Sequence, residues 1–432
     1  MFLNILLYYI GVCSAGYATP EQIHLSWTEN PNEMRITWVT YLPLSTNLYY
    51  RSLLCKDSID WSEKPASYTI FDAGNIFIRY EFIHTVTIQI SSDCIYEYYA
   101  GSYYGWSPTY KFRGLSPGTK IFDSIDMLLV ADWGGGTVGQ LTKNLILKQI
   151  SLDQVDGILH AGDLAYDLPD LEGMVGDSWL NMIQPIAARI PYMVSPGNHE
   201  YINNCSHFKN RFKMPINEAN QGTGYFFSFD LGRAHFIMIN TEIIVDDKMA
   251  SEIYTEVNWL KKDLKKANEN RDERPWIIVL THRNLYCSVD WTLPYKEKNS
   301  NCGVDSIILR RYLEDLLYQE GVDLFFQAHV HQYERNSPIY KNKTVKSDYD
   351  DKYMHVNPKA TIYITNGNAG NIEHHNNPIS KTPQKWSIFA AEAYGYGKLH
   401  VFNKTHIYYQ QYSSGREIAI DHLWIIKDKL RF

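Results

Sequence analysis

The hydrophobic period of the chain changes once, and that change sets two structural regimes. From Gln22 to about Arg113 apolar residues recur at every second position: Ile23, Leu25 and Trp27, then Met34, Ile36 and Trp38, then Tyr80, Phe82, Val86, Ile88 and Ile90. Period two puts such residues on one face of a strand. Several short strands parted by turn residues over about 90 positions predict a β-sandwich. No group of histidines and acids gathers here, so the region reads as a structural or interaction module. The run Gly114-Leu115-Ser116-Pro117-Gly118-Thr119-Lys120 then punctuates the chain.

Beyond it, strand-like and helix-like runs alternate. Asp126–Ala131, Gly157–Ala161, Tyr192–Ser195, Gly224–Phe229, His235–Asn240, Trp276–Leu280 and Asp323–Gln327 read as strands. Val138–Ile150, Ser178–Ala188, Ile253–Ala267 and Ser306–Gln319 carry helical spacing. This alternation predicts an α/β domain whose sheet is covered by helices on both faces, with an antiparallel C-terminal part at Thr361–Thr365, Gly397–Phe402 and His406–Tyr412.

In open α/β sheets, ligands bind outside the carboxyl ends of the strands. Five strands here end in polar residues: Asp132; Asp163 and Tyr166 in Gly162-Asp163-Leu164-Ala165-Tyr166; Asn198 and His199 in Pro196-Gly197-Asn198-His199-Glu200; His282; and His329 and His331. Any one of them has an ordinary explanation as a helix cap, a loop residue or core packing. All five together predict a single site. Two carboxylates, an amide oxygen, three imidazoles and a phenol make a mixed N/O set without thiolate, which suits Zn, Fe or Mn. Seven donors exceed a four-coordinate site and suit two metals sharing a carboxylate. A phenol with an ordinary pKa near ~10 ionises only beside a strong Lewis acid, which points to Fe(III). Gly134-Gly135-Gly136-Thr137 precedes a helix, but no Gly-Lys-Ser/Thr follows, so a nucleotide P-loop is excluded.

The formal net charge is −7 and no Lys/Arg-rich run occurs, which argues against nucleic acid or an anionic membrane as partner. The first 15 residues are apolar, too short to span a bilayer, and are followed by small residues, as in a signal peptide. Sequons at Asn204, Asn342 and Asn403 fit glycosylation of a secreted or lysosome-like vesicular protein. No later apolar run is long enough for a membrane anchor. Cys287 and Cys302 bracket a polar loop and are the expected disulfide in an oxidising compartment; Cys55–Cys94 is a second pairing that would leave Cys205 free.

The five blocks resemble those of the metallophosphoesterase superfamily, and Tyr166 in Gly162-Asp163-Leu164-Ala165-Tyr166 resembles the mark of purple acid phosphatases within it. The likeness to the large, plant-like form covers nearly the whole mature chain, including Leu423-Trp424-Ile425-Ile426-Lys427-Asp428. It implies a signal peptide at 1–18, a fibronectin-III-like N-terminal β-sandwich at 19–116, and at 117–432 a catalytic α/β domain of the metallophosphoesterase ββ-sandwich type flanked by helices. It also implies that Asp132, Tyr166 and His331 bind Fe(III), that Asn198, His282 and His329 bind a divalent metal (Fe, Zn or Mn), and that Asp163 bridges them. His199 matches the family histidine that contacts substrate phosphate, with protonation of the leaving group as its implied role.

The implied activity is hydrolysis of phosphomonoesters by attack of a metal-bound hydroxide, by a monomer or homodimer acting on small phosphorylated substrates. The alternatives are a phosphodiesterase or nucleotide pyrophosphatase on the same metals, or a metal-bearing binding protein of low turnover. Two departures from the family pattern bear on this. Ala328 stands where the family has glycine, adding a methyl that could displace His329. Arg283 to Gln327 contains no histidine, where large family members carry further substrate-facing ones; Arg283, Lys296 and Lys298 are the cations available instead.

Overall fold

The computed structural model describes residues 16–53, 55, 60–92, 94–115, 124–220, 222–245, 250–288, 302–373 and 384–428. Most of the expected signal peptide, together with Lys296 and Lys298, lies outside them, as does the side chain of Cys302.

The N-terminal region is a β-sandwich. One sheet runs Glu21–Trp27, Glu33–Thr40, Tyr80–Gln89, Ser67–Asp72, all antiparallel. The other is built on Cys94–Ser102, which pairs with Asn47–Ser52 on one side and with Gly105–Trp106 and Tyr110–Gly114 on the other. Alternation sends Ile23, Leu25, Trp27, Leu48, Tyr98 and Phe112 inward. Cys55 and Cys94 are disulfide-bonded, with Cα atoms 5.6 Å apart, and Cys205 is a buried free thiol.

The C-terminal region contains two eight-stranded sheets where the strand–helix alternation alone predicts one. The first holds Tyr192–Ser195, Gly157–Ala161 and Ile125–Val130 in parallel, and the late strands Gly395–Val401, His406–Ser413 and Ile418–Ile426 extend it antiparallel. The second begins at Phe227–Leu231 and Ala234–Met238 and continues through Trp276–Leu280, Leu324–Gln327 and Thr361–Asn366. The residue pattern of Trp276–Leu280 explains the layering. Trp276, Ile278 and Leu280 join the apolar cluster shared with the first sheet, whereas Ile277 and Val279 pack with Leu260, Leu264, Leu309 and Leu313 from helices Ala250–Asn268 and Cys302–Gln319. Each strand therefore meets a sheet on one face and helices on the other, and an all-apolar run satisfies both. Helices Thr137–Leu152 and Met174–Ala187 belong with the first sheet, contributing Ile146, Leu180 and Ile183 to its core.

The two regions share one continuous apolar core. Buried Arg211 reinforces the joint by pairing with Asp177 of the C-terminal region and Glu81 of the sandwich, both at 2.8 Å. Among the described residues no helix is long and apolar enough to cross a membrane.

Candidate metal centre

The carboxyl ends of Ile125–Val130, Gly157–Ala161 and Tyr192–Ser195 in one sheet meet those of Trp276–Leu280 and Leu324–Gln327 in the other. Strand direction brings the seven donors to one place, although they are spread from position 132 to position 331.

Two groups of side chains each bring one potential ligand atom within 4.8 Å of the others: Asp163, His282 and His329 form one, and Asp132, Asp163 and His331 the other. Asp163 belongs to both. Tyr166 and Asn198 stand beside them, the phenol oxygen 2.9 Å from His331 Nε2 and the Asn198 amide oxygen 3.0 Å from His282 Nε2. Asp132, Asp163, Tyr166, His282, His329 and His331 are all buried, and Asn198 is half-buried.

The donor chemistry calls for positive charge. His282 Nδ1 lies 3.0 Å from the Ala161 carbonyl, which accepts its N–H and leaves the Nε2 lone pair facing inward. That nitrogen faces Asp163 Oδ2 at 3.2 Å and the Asn198 oxygen, so positive charge, a bound ion or a proton on the ring, must lie among the three atoms. On the other side, Asp132 Oδ1 lies 3.2 Å from His331 Nε2. His329 Nδ1 is buried with no hydrogen-bond partner. A buried polar atom normally finds one. These residues fit two metal ions.

The local electrostatics agree. Burial works against a charged His282, yet Asp163 and Asp132 push it up to about 9. Burial also opposes ionisation of Asp163, but His282 and His199 hold it well below the usual carboxylate range. Burial first, then Asp132 and Asp163, raises Tyr166 well above an ordinary phenol, so its ionisation requires added positive charge. For His329, burial and then Arg283 drive the imidazole well below its ordinary value.

Close approach constrains the turns. Gly162 has φ +82°, and a Cβ on Gly197 would overlap the Asp163 carboxylate. At the last block the left-handed residue is His329 (φ 63°), not Ala328. The Ala328 methyl packs against Ala131 and Ala161, which also stand at strand ends, so alanine fits without displacing the histidine.

His199 stands beside the two groups, its ring 4.5 Å from that of Tyr166. Its Nδ1 is 2.8 Å from Asp167 and its Nε2 faces Asp163 at 3.8 Å and Glu373 at 3.5 Å. Burial opposes its protonation, but Asp163, Asp167 and Glu373 push it up to about 10.

The chain matches the family model for the purple acid phosphatase N-terminal domain over residues 20–114, that for calcineurin-like phosphoesterases over 126–333, and that for the iron/zinc purple acid phosphatase-like C region over 360–422. It is 34% identical to human acid phosphatase type 7 over 432 residues, covering 98% of this chain and 95% of that protein. The chain belongs to the purple acid phosphatase family. It is 27% identical to the probable purple acid phosphatase 20 of Arabidopsis thaliana, with 94% of this chain and 87% of that one aligned. The purple acid phosphatase PPD1 from yellow lupin seeds shares the fold, with TM-score 0.79 at 22% identity over 96% of this chain and 75% of that chain.

Sequence reasoning missed several groups at the centre of this purple acid phosphatase. Asp167 directly follows the Gly162–Tyr166 block, so its position was a usable signal. Sequence leaves Glu373-His374-His375 between a solvated loop and a pocket lining; Glu373 faces His199, and His374 and His375 lie outside the described residues. Arg283 is not free for substrate. It is buried, its Nε and Nη2 bound to Glu242 at 2.7 and 2.8 Å and its Nη1 to Asp305 at 2.8 Å.

Proposed function

We propose that this purple acid phosphatase hydrolyses phosphomonoesters at a dinuclear centre. Asp132, Tyr166 and His331 hold Fe(III), Asn198, His282 and His329 hold a divalent ion (Fe, Zn or Mn), and Asp163 is common to both. The observation that carries this reading is the membership of Asp163 in both ligand groups, the arrangement that two ions sharing one carboxylate require. When bound, the ions supply Lewis acidity, a water acidic enough to become the nucleophile, and positive charge to draw an anionic ester to an acidic protein.

The remaining chemistry falls to the chain. Asp167 fixes the His199 ring by Nδ1, leaving the Nε2 proton for the leaving oxygen. The neighbouring carboxylates keep His199 protonated through the acid range, which suits proton donation to an alkoxide. Asn198 and His199, adjacent on one turn, are the side chains assigned to the phosphate.

Exposure of Asn204, Asn342 and Asn403 supports their glycosylation, and with it a secreted or lysosome-like vesicular location after removal of residues 1–18. The same compartment favours the Cys287–Cys302 bridge; Cys287 is disulfide-bonded. The domain division at 116/117 is supported by family matches that end at 114 and resume at 126.

The test is metal analysis of the purified protein with a visible spectrum, alongside turnover of p-nitrophenyl phosphate and of its bis ester. Two metals per chain and preference for the monoester support the reading. A metal-free protein overturns it, and a preference for the bis ester replaces it with a phosphodiesterase.

A further inference from the structure

Five residues between 162 and 167 have left-handed backbone: Gly162 (φ 82°), Asp163 (56°), Ala165 (68°), Tyr166 (62°) and Asp167 (75°). Side-chain-bearing residues avoid this conformation, and runs of them persist only where the surroundings impose it. Three of the five carry the site: Asp163, Tyr166 and Asp167.

One buried side chain takes two successive backbone N–H groups of this loop. Glu200 Oε2 accepts from Asp163 N at 2.9 Å and from Gly197 N at 2.7 Å, while Oε1 accepts from Leu164 N at 2.8 Å. The residue is 2% exposed. Successive backbone N–H groups turned to one side form a concavity for acceptor oxygens, and here the two side-chain oxygens of Glu200 fill it. The same carboxylate ties the 162–167 loop to the turn that carries Asn198 and His199.

We infer that Glu200 is a positioning residue for the metal centre: its two side-chain oxygens fill the N–H cradle of the strained 162–167 loop and set where Asp163 and, through the Tyr166 N–H on the Leu164 carbonyl, Tyr166 stand. It is separate from the donor groups and acts only through backbone. What the loop positions rests on the dinuclear reading above; the hydrogen-bonded cradle does not.

The shape of glutamate is not enough. Glutamine would keep one acceptor oxygen for two of the three N–H groups and turn an NH2 donor toward the third. Metal-stripped full-length Glu200→Gln, titrated with Zn²⁺, is expected to bind about 10–100-fold more weakly than the unmodified chain, the usual cost of losing a group that orients ligands. Iron-loaded Glu200→Gln is expected to show a displaced visible band. Ile88→Ala, in the core of the N-terminal sandwich, lowers thermal stability without touching the loop and controls for general destabilisation. Zinc affinity and spectrum unchanged in Glu200→Gln, or equally changed in Ile88→Ala, overturn the proposal. Should Glu200→Gln not fold, amide hydrogen exchange on the unmodified protein decides: slow exchange at Asp163, Leu164 and Gly197 supports the cradle, and fast exchange refutes it. An unmodified chain that binds no zinc overturns the dinuclear reading and leaves the exchange result standing by itself.

Discussion

Arg283 Nη1 lies 2.9 Å from His329 Nε2, with its guanidinium held by Glu242 and Asp305. The cation that sequence offers as a substrate contact is thus spent on two carboxylates beneath a proposed metal ligand. Arg283→Met removes the guanidinium that pairs with Glu242 and Asp305 and strands two buried acids. Breaking a buried ion pair on one side costs about 3–5 kcal/mol. The expected result is a correspondingly lower unfolding midpoint in denaturant; a midpoint equal to the parent's would mean that the network carries little energy.

Tyr166 contributes one oxygen to the centre, close to His331 and Asp132. Tyr166→Phe keeps the ring packing and removes that oxygen. In oxidised, iron-loaded protein the visible tyrosinate band should vanish while circular dichroism stays unchanged. Retention of the colour would exclude Tyr166 as the ligand.

His199→Asn should lower kcat by roughly 10²–10⁴-fold, the range for loss of a general acid. Metal content should not change. The loss should be greater for an alkyl phosphate, whose alkoxide needs a proton, than for p-nitrophenyl phosphate, whose leaving group does not. Equal losses on both substrates would assign His199 to phosphate binding alone.

Histidines outside the donor set fix the pH range of stability. Burial lowers His24 and His84 to about 4 and His160 to about 3; burial and then Arg211 lower His207 to about 3. The unfolded chain binds their protons more readily, so this stability is complete above about pH 6.5 and is lost as pH falls toward those values, at about 1.4 kcal/mol per pH unit and group. His235 has the opposite sign. Burial opposes its charge, but Asp230 and Asp263, at 2.7 and 2.9 Å, raise it to about 9. Its contribution is complete below about pH 6.5 and is lost as pH rises through 9. Thermal midpoints should therefore fall on both sides of neutrality, and His235→Gln should flatten only the alkaline limb. An alkaline limb unchanged by that substitution would discount the Asp230–His235–Asp263 bridge.

The Cys55–Cys94 disulfide closes a sequence separation of 39 within the sandwich. Replacing both cysteines by serine should cost about 2–4 kcal/mol by freeing the unfolded chain. Non-reducing peptide mapping should recover Cys205 as a thiol and Cys287 joined to Cys302; Cys287 and Cys302 both found as thiols would contradict that pairing.

The sequence by itself determined the change of period near residue 114, the strand cores at Gly157–Ala161, Tyr192–Ser195 and Trp276–Leu280, and the polar residue at each strand end. These are local properties: a period, a turn and a donor atom are written in consecutive positions. Tertiary structure alone decided that the strands divide into two sheets, because Ile125–Val130 takes Gly395–Val401 as a neighbour from some 270 positions away. It likewise decided that Glu373 faces His199, that Arg283 turns to Glu242 and Asp305, and that Glu200 joins two loops. An isolated glutamate or arginine in a sequence has no period to betray it. Its role comes from the groups folding sets around it, since in a dry interior a charge must be met by whatever donors or counter-charges the distant chain delivers.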